Sequence, residues 1–195
     1  MRIGVISDIH DHIPQLQAAL AVLKEEAVDD LICCGDLCSP FVMELLGKGF
    51  QGKIHLVFGN NDGDTHRITR SAQQWPERVN LHGEIAFFSL GGKKIAINHF
   101  DTIAKELAAS GNFDLVCYGH NHRRSTTRFT TRGHSVTMLN PGTLMGYRFD
   151  EGAPVSINPT FAIVDLDEDN EVTFFELYAN AEAPNGFSAR EIEDK

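Results

Sequence analysis

The sequence predicts an α/β fold in which two mixed β-sheets pack together with helices outside them. Three observations predict it. The chain opens on a β-α-β pattern, it carries a Gly-Gly hairpin signal near its middle, and its last third alternates and turns like antiparallel strands.

The opening pattern comes from the apolar runs "RIGVIS" (2–7) and "DLICCG" (30–35), which read as buried strands. Between them Leu16, Leu20, Leu23 and Ala27 recur at helical spacing. Ser39 followed by Pro40 marks a second helix start, because Pro fits the first turn, and "KIHLVFG" (53–59) is the third strand. A mixed stretch containing Trp75 and Pro76 follows. Residues 84–99 then read as a hairpin, since a two-residue Gly-Gly turn supplies the positive φ that such turns demand. Next come a helix, "TIAKELAAS", and another apolar strand, "FDLVCYG" (113–119). The segments "RSTTRFTTRGHSVTML" and "TFAIVDLDEDNEVTFFELY" are expected to form antiparallel hairpins. Residues 1–178 are expected to be one domain. The polar stretch 179–195, with Pro184 and Gly186 and no repeated apolar face, reads as a loosely held tail.

With 195 residues and 42% hydrophobic content the chain can bury a core of its own. A formal net charge of −10 opposes a protein that tracks nucleic-acid phosphates, so no extended nucleic-acid partner is expected. No apolar stretch approaches bilayer length and Met1–Ser7 leads into polar residues, so no membrane partner and a cytoplasmic location are expected. Cys33, Cys34, Cys38 and Cys117 contain no C-x-x-C pair and read as reduced thiols packed as small hydrophobes.

The polar residues that carry chemistry fall just after the expected strands, where open α/β sheets place their ligands. Asp8 and His10 follow the first strand, Asp36 the second and Asn60 the third. His99 ends the hairpin, and His120 and His122 follow "FDLVCY". Seven oxygen and nitrogen donors thus meet at one rim. A mixture of carboxylate, amide and imidazole suits first-row divalent ions and lacks the thiolates of structural zinc. Seven donors exceed one tetrahedral shell, whereas two ions with Asp36 bridging them would use the set.

The blocks "SDIH", "CGD", "GNND", "NHF" and "YGHNH" together resemble the calcineurin-like metallophosphoesterase superfamily, most closely its small single-domain bacterial and archaeal phosphodiesterases. "NPGT" (140–143) is similar to a further family feature. The resemblance implies a four-layer α/β/β/α sandwich and a binuclear centre. It assigns Asp8, His10 and His122 to one ion, Asn60, His99 and His120 to the other, and Asp36 to both. Manganese is the first choice of metal, with nickel, iron, zinc and cobalt suited to similar donors.

The departures from the family pattern also carry information. Many members have a histidine, thought to protonate the leaving group, where this chain has Asn61, and a carboxamide is no general acid. His12, an extra imidazole in Asp8-Ile9-His10-Asp11-His12, is the candidate to replace it. Asp62 either orients the metal shell or serves the turn in "NNDGD". His55, His66, His82 and His134 have no matching partners and read as ordinary polar residues. Arg123, Arg124, Arg128 and Arg132 read as a solvated strand face, and Arg148 as a residue within reach of a substrate phosphate.

The function expected is a metal-dependent phosphodiesterase acting on a small phosphate ester, in which two divalent ions activate a bridging hydroxide for in-line attack. A homodimer is the expected assembly. The alternatives are a phosphomonoesterase, a nuclease, or a non-catalytic interaction scaffold similar to the retromer subunit of the same fold.

Overall fold

The computed structural model describes residues 1–193. The β-α-β opening consists of β1 (Arg2–Ile6), α1 (Ile13–Glu25), β2 (Asp30–Cys33), α2 (Pro40–Gly49) and β3 (Lys53–Leu56). Helix α1 ends earlier than its apolar spacing suggests. Ala27 lies beyond it in the left-handed region, and the N–H groups of Ala27 and Val28 close the last turn on Lys24 and Leu23. There follow α3 (Thr65–Ala72), β4 (Val79–Leu81), the Gly-Gly hairpin β5 (Ile85–Leu90) and β6 (Lys93–Asn98), α4 (Asp101–Ala109) and β7 (Leu115–Cys117). The last third contains β8 (Ser125–Thr131), β9 (His134–Asn140), β10 (Tyr147–Asp150), β11 (Ala153–Ser156), β12 (Thr160–Asp165), β13 (Glu171–Ala179) and β14 (Phe187–Ile192).

A seven-stranded sheet has the order β14-β13-β12-β1-β2-β3-β4, and a five-stranded sheet the order β5-β6-β7-β9-β8. Both are mixed. β1 to β4 run parallel while β12 to β14 pair antiparallel, and β6, β7 and β9 run parallel between antiparallel β5 and β8. The central strands are buried on both faces, which is why they read as unbroken apolar runs. Their period of two still sorts the side chains. Leu31 and Cys33 of β2 join a cluster with Leu16, Leu23 and Leu46 of α1 and α2, while Ile32 joins Ile95, Ile97 and Leu115 of the other sheet. Ala96, Val116 and Val136 then face Ala104 and Ala108 of α4. A helix-to-sheet, a sheet-to-sheet and a sheet-to-helix cluster are what an α/β/β/α layering requires. The thiols of Cys33, Cys34 and Cys117 are free and buried within these layers.

The loosely held tail needs correction. Phe187–Ile192 pair antiparallel with β13 as an edge strand, and Arg190 bonds the Glu176 carboxylate across the pair. Phe187 and Ala189 pack on the helical core cluster. A strand that buries one face against a single neighbour can be half polar, which hides it from an apolar-run reading.

Candidate metal centre

The loops leaving β1, β2, β3, β6 and β7 hold all seven donors. Five of these residues have left-handed backbone: Asp8 (φ 52°), His10 (45°), Asp36 (55°), His120 (70°) and His122 (57°). For residues with a Cβ this costs on the order of 1–2 kcal/mol each, so the surrounding contacts must hold the loops in place. Backbone bonds from Asp8 to Gly35 and from Ile9 and His10 to Asp36 join the first two loops. The buried Asp62 carboxylate accepts N–H groups from Asp36, Cys38 and Gly59 at 3.0, 2.8 and 2.7 Å, which ties the second loop to the third. From the "NPGT" segment Thr143 donates to the Asp8 carbonyl and Asn140 donates to the Gly119 carbonyl, at 2.8 and 2.9 Å.

The glycines before the donors permit this convergence. A Cβ on Gly59 would fall 2.2 Å from Asp36 Oδ1, and one on Gly119 would fall 2.0 Å from Ser7 Oγ and 2.5 Å from Asp8 Oδ2. Neither position has room for a side chain.

The imidazoles are aimed by their far nitrogens. His99 Nδ1 meets the Cys34 carbonyl at 2.8 Å and His122 Nδ1 meets the Tyr147 carbonyl at 2.6 Å. A carbonyl only accepts, so each Nδ1 carries the proton and each Nε2 turns a lone pair inward. His122 Nε2 lies 3.2 Å from Asp8 Oδ1 and 3.3 Å from His10 Nε2. Asp36 Oδ2 lies 3.5 Å from His10 Nε2 and 3.3 Å from His99 Nε2. Asn60 Oδ1 approaches His99 Nε2 at 3.1 Å and His120 Nδ1 at 2.9 Å. Two groups have donor spacing suited to an ion, Asp8 with His10 and His122, and Asp8 with Asp36 and His99.

A divalent cation fits this chemistry. Asp8 Oδ1 is buried without a hydrogen-bond partner among the described residues, and the inward lone pair of His122 faces it at 3.2 Å. Acceptors facing one another in a buried site repel unless a proton or a cation lies between them. The titration shifts agree. Burial acts to raise the Asp8 and Asp36 carboxyls, but the imidazoles around them hold both below the usual carboxylate range. Burial likewise acts to lower His99 and His122, and Asp36 and Asp8 respectively raise them. The pocket therefore favours positive charge at its centre.

A cavity of about 460 Å³ opens over these donors, lined also by Asn61, Asn121, Arg123, Met145 and Phe149. Asn61 binds Asp36 twice, through its backbone N–H at 2.7 Å and its side-chain amide at 2.8 Å. His12 is not brought into this lining. Its Nδ1 meets the Gln15 amide at 3.2 Å at the start of α1. The grip of Asp62 was only one of two readings in sequence, because its partners lie on two separate loops. Asn140 and Thr143 stood out in sequence only through the "NPGT" resemblance, which gave them no role, and the cavity-lining Phe149 carried no local signal.

Three comparisons bear on this arrangement. A family model described as the calcineurin-like phosphoesterase superfamily domain matches residues 1–169. Phosphodiesterase MJ0936 of Methanocaldococcus jannaschii is 30% identical over 173 residues, covering 86% of this chain and 95% of its own. The structure of an archaeal phosphodiesterase superposes with a TM-score of 0.76 at 28% identity, over 91% of this chain and 100% of that one. A zinc complex of Vps29 from Entamoeba histolytica shares the fold at a TM-score of 0.64 and 19% identity, covering 98% of each chain.

Proposed function

The chain belongs to the calcineurin-like phosphoesterase superfamily, and from that premise we propose a phosphodiesterase whose seven donors hold two divalent ions, manganese first among them. Membership of the family makes the chain a metal-dependent hydrolase of phosphate esters. The observation that carries the metal centre is the buried, unpartnered Asp8 Oδ1 facing imidazole nitrogens.

Asp8, His10 and His122 would hold one ion, and Asn60, His99 and His120 the other. Asp36, near both groups through Oδ2, would serve both. Bound there, divalent ions supply Lewis acidity toward the phosphoryl oxygens and a nucleophilic water at neutral pH. The chain's own part is to fix the donors. The Cys34 and Tyr147 carbonyls orient two imidazoles, Asp62 holds the loops together, and Asn61 restrains Asp36. Arg123, at the cavity wall, offers a guanidinium to a phosphoryl oxygen.

Asn61 supports a diester with an acidic leaving group, since its amide donates to Asp36 and holds no transferable proton. The relative named a phosphodiesterase agrees with that preference. The test is metal-resolved screening of chelator-treated protein against phosphomonoesters, diesters and cyclic nucleotides, with metal content measured. Asp36→Ala should abolish diester hydrolysis and lower bound metal, while His134→Ala should do neither. Full activity in Asp36→Ala or in the chelated protein would overturn the reading.

A further inference from the structure

Beside the metal-centre cavity lies a second and larger one of about 780 Å³, and the two share Asn121, His122 and Arg123 as wall. Arg124 and Arg148 line the second cavity, with Asn158 and Glu176. Sequence reading placed Arg124 on a solvated face. The structure half-buries it, 6.0 Å over the Phe174 ring; its Nη2 reaches the Glu193 carbonyl at 3.4 Å, and its Nε is buried without a hydrogen-bond partner among the described residues.

The local charge is the reverse of the global one. Asp150 alone serves two guanidiniums, accepting from Arg148 Nε at 2.9 Å and also from Arg123. Glu176 is occupied by Arg190 at 2.9 Å. Among the described residues that line the cavity three guanidiniums meet one carboxylate, Glu176, with Asp150 beside Arg123 and Arg148, in a chain whose net charge is −10. Excess guanidinium in a concave, amide-lined space is the chemistry that receives a phosphate, because its planar fork offers parallel N–H groups to two oxygens.

We propose that this second cavity binds a further phosphate group carried by the substrate, so that the natural diester bears a phosphate on the arm that lies away from the metal donors. The shared wall makes the two sites continuous. One substrate can then place its scissile phosphorus over the donors and its second phosphate against Arg124 and Arg148. Arg123, between them, faces both groups. This inference rests on the hydrolase reading for the word substrate, whereas the anion site itself does not.

Two measurements separate these claims. In the first, the full chain, with and without added manganese, is titrated calorimetrically with inorganic phosphate and with sulfate. Binding that persists without manganese and weakens at least about tenfold in Arg148→Gln and in the Arg124→Gln, Arg148→Gln double variant is expected from the charged hydrogen bonds lost. In the second, two 4-nitrophenyl phosphodiesters are compared, identical except that one has a terminal phosphate on its alkyl arm. Wild type should show a lower KM for the phosphate-bearing ester, and Arg148→Gln should raise that KM at least about tenfold more than the KM of the plain ester. Arg148→Lys should restore part of the difference, since charge returns without the fork. Anion binding equal in wild type and variants overturns the proposal. So does free-phosphate binding with no preference between the two esters, which would make the site one for a separate anion. Arginine-dependent anion binding in a chain that hydrolyses no ester would sink the hydrolase reading and leave the anion site standing.

Discussion

Asn61 shows how one side chain sets the demand on a leaving group. Its amide is committed to Asp36 Oδ2 at 2.8 Å, and no imidazole among the described residues lining the cavity stands free of the donor cluster. General acid catalysis is worth roughly 10²–10⁴-fold when the departing oxygen needs a proton. Rates plotted against leaving-group pKa, at fixed metal and pH, should therefore fall steeply for the wild type. The line should flatten in Asn61→His, and an already flat wild-type line would show that another group delivers the proton. At this scale much of the site was legible in the sequence. Asp8 lies two residues beyond the end of β1, and Asp36, Asn60 and His120 each follow a glycine just beyond a strand, so local order alone brings them to one rim. His12 is close to Asp8 in sequence, but the turn into α1 sets its ring against Gln15 and outside the cavity lining.

Elements are held in register by groups that local patterns do not reveal, and Asp62 is the plainest example. It collects three backbone N–H groups from the loops after β2 and β3. Asp62→Ala would strand those donors, with a cost of roughly 3 kcal/mol or more. Chemical denaturation should register that loss, and metal affinity should fall with it, whereas Asp62→Asn should recover part of both. A second device joins the two sheets. His55 of β3 stacks on Phe88 of β5 at 4.1 Å between ring centroids and meets His82 at 3.2 Å. Burial, and then the neighbouring His82, push the His55 imidazole down to about 4 from an ordinary 6.5. Below pH 6.5 the unfolded chain binds a proton at His55 that the folded one refuses, so the His55 contribution to stability falls with pH until about 4 and then levels. Denaturation midpoints at pH 7 and pH 5 should differ less in His55→Phe than in wild type, and an equal difference would remove His55 from the acid sensitivity. The hairpins β5-β6, β8-β9 and β12-β13 were legible because alternation and turn residues coincide. Helix α3 was not, since Ile68 is its only large buried apolar side chain and a single apolar residue has no period. The short pair β10-β11 leaves Tyr147 and Phe149 exposed and so lacks an inward apolar face to announce it.

Taken whole, the molecule places buried negative charge and left-handed backbone at one rim and offsets them with the rigidity of two sheets. An overall charge of −10 raises the local concentration of cations around that rim. The acceptors gathered there favour a bound cation, and Asp8 allows stability to be tested apart from function. In Asp8 one oxygen accepts the His120 N–H at 3.1 Å, and the other is buried without a partner, 3.2 Å from His122 Nε2. Asp8→Asn can keep its amide oxygen on the His120 N–H and turn its NH₂ toward the inward lone pair of His122. The exchange removes a buried charge and supplies a donor where acceptors now face one another. Metal-free Asp8→Asn should therefore melt at or above the temperature of metal-free wild type. Divalent ion at about 100 times its Kd should stabilise wild type by about 2.7 kcal/mol, a rise in Tm of about 5–10 °C for a chain of this size. The variant, lacking a carboxylate shared by both donor groups, should show little of that rise. Thermal melts of both proteins, with and without manganese, decide the matter. A metal-free variant that melts well below wild type would mean that Asp8 is retained for folding, and an undiminished metal-induced rise would mean that the ion binds elsewhere.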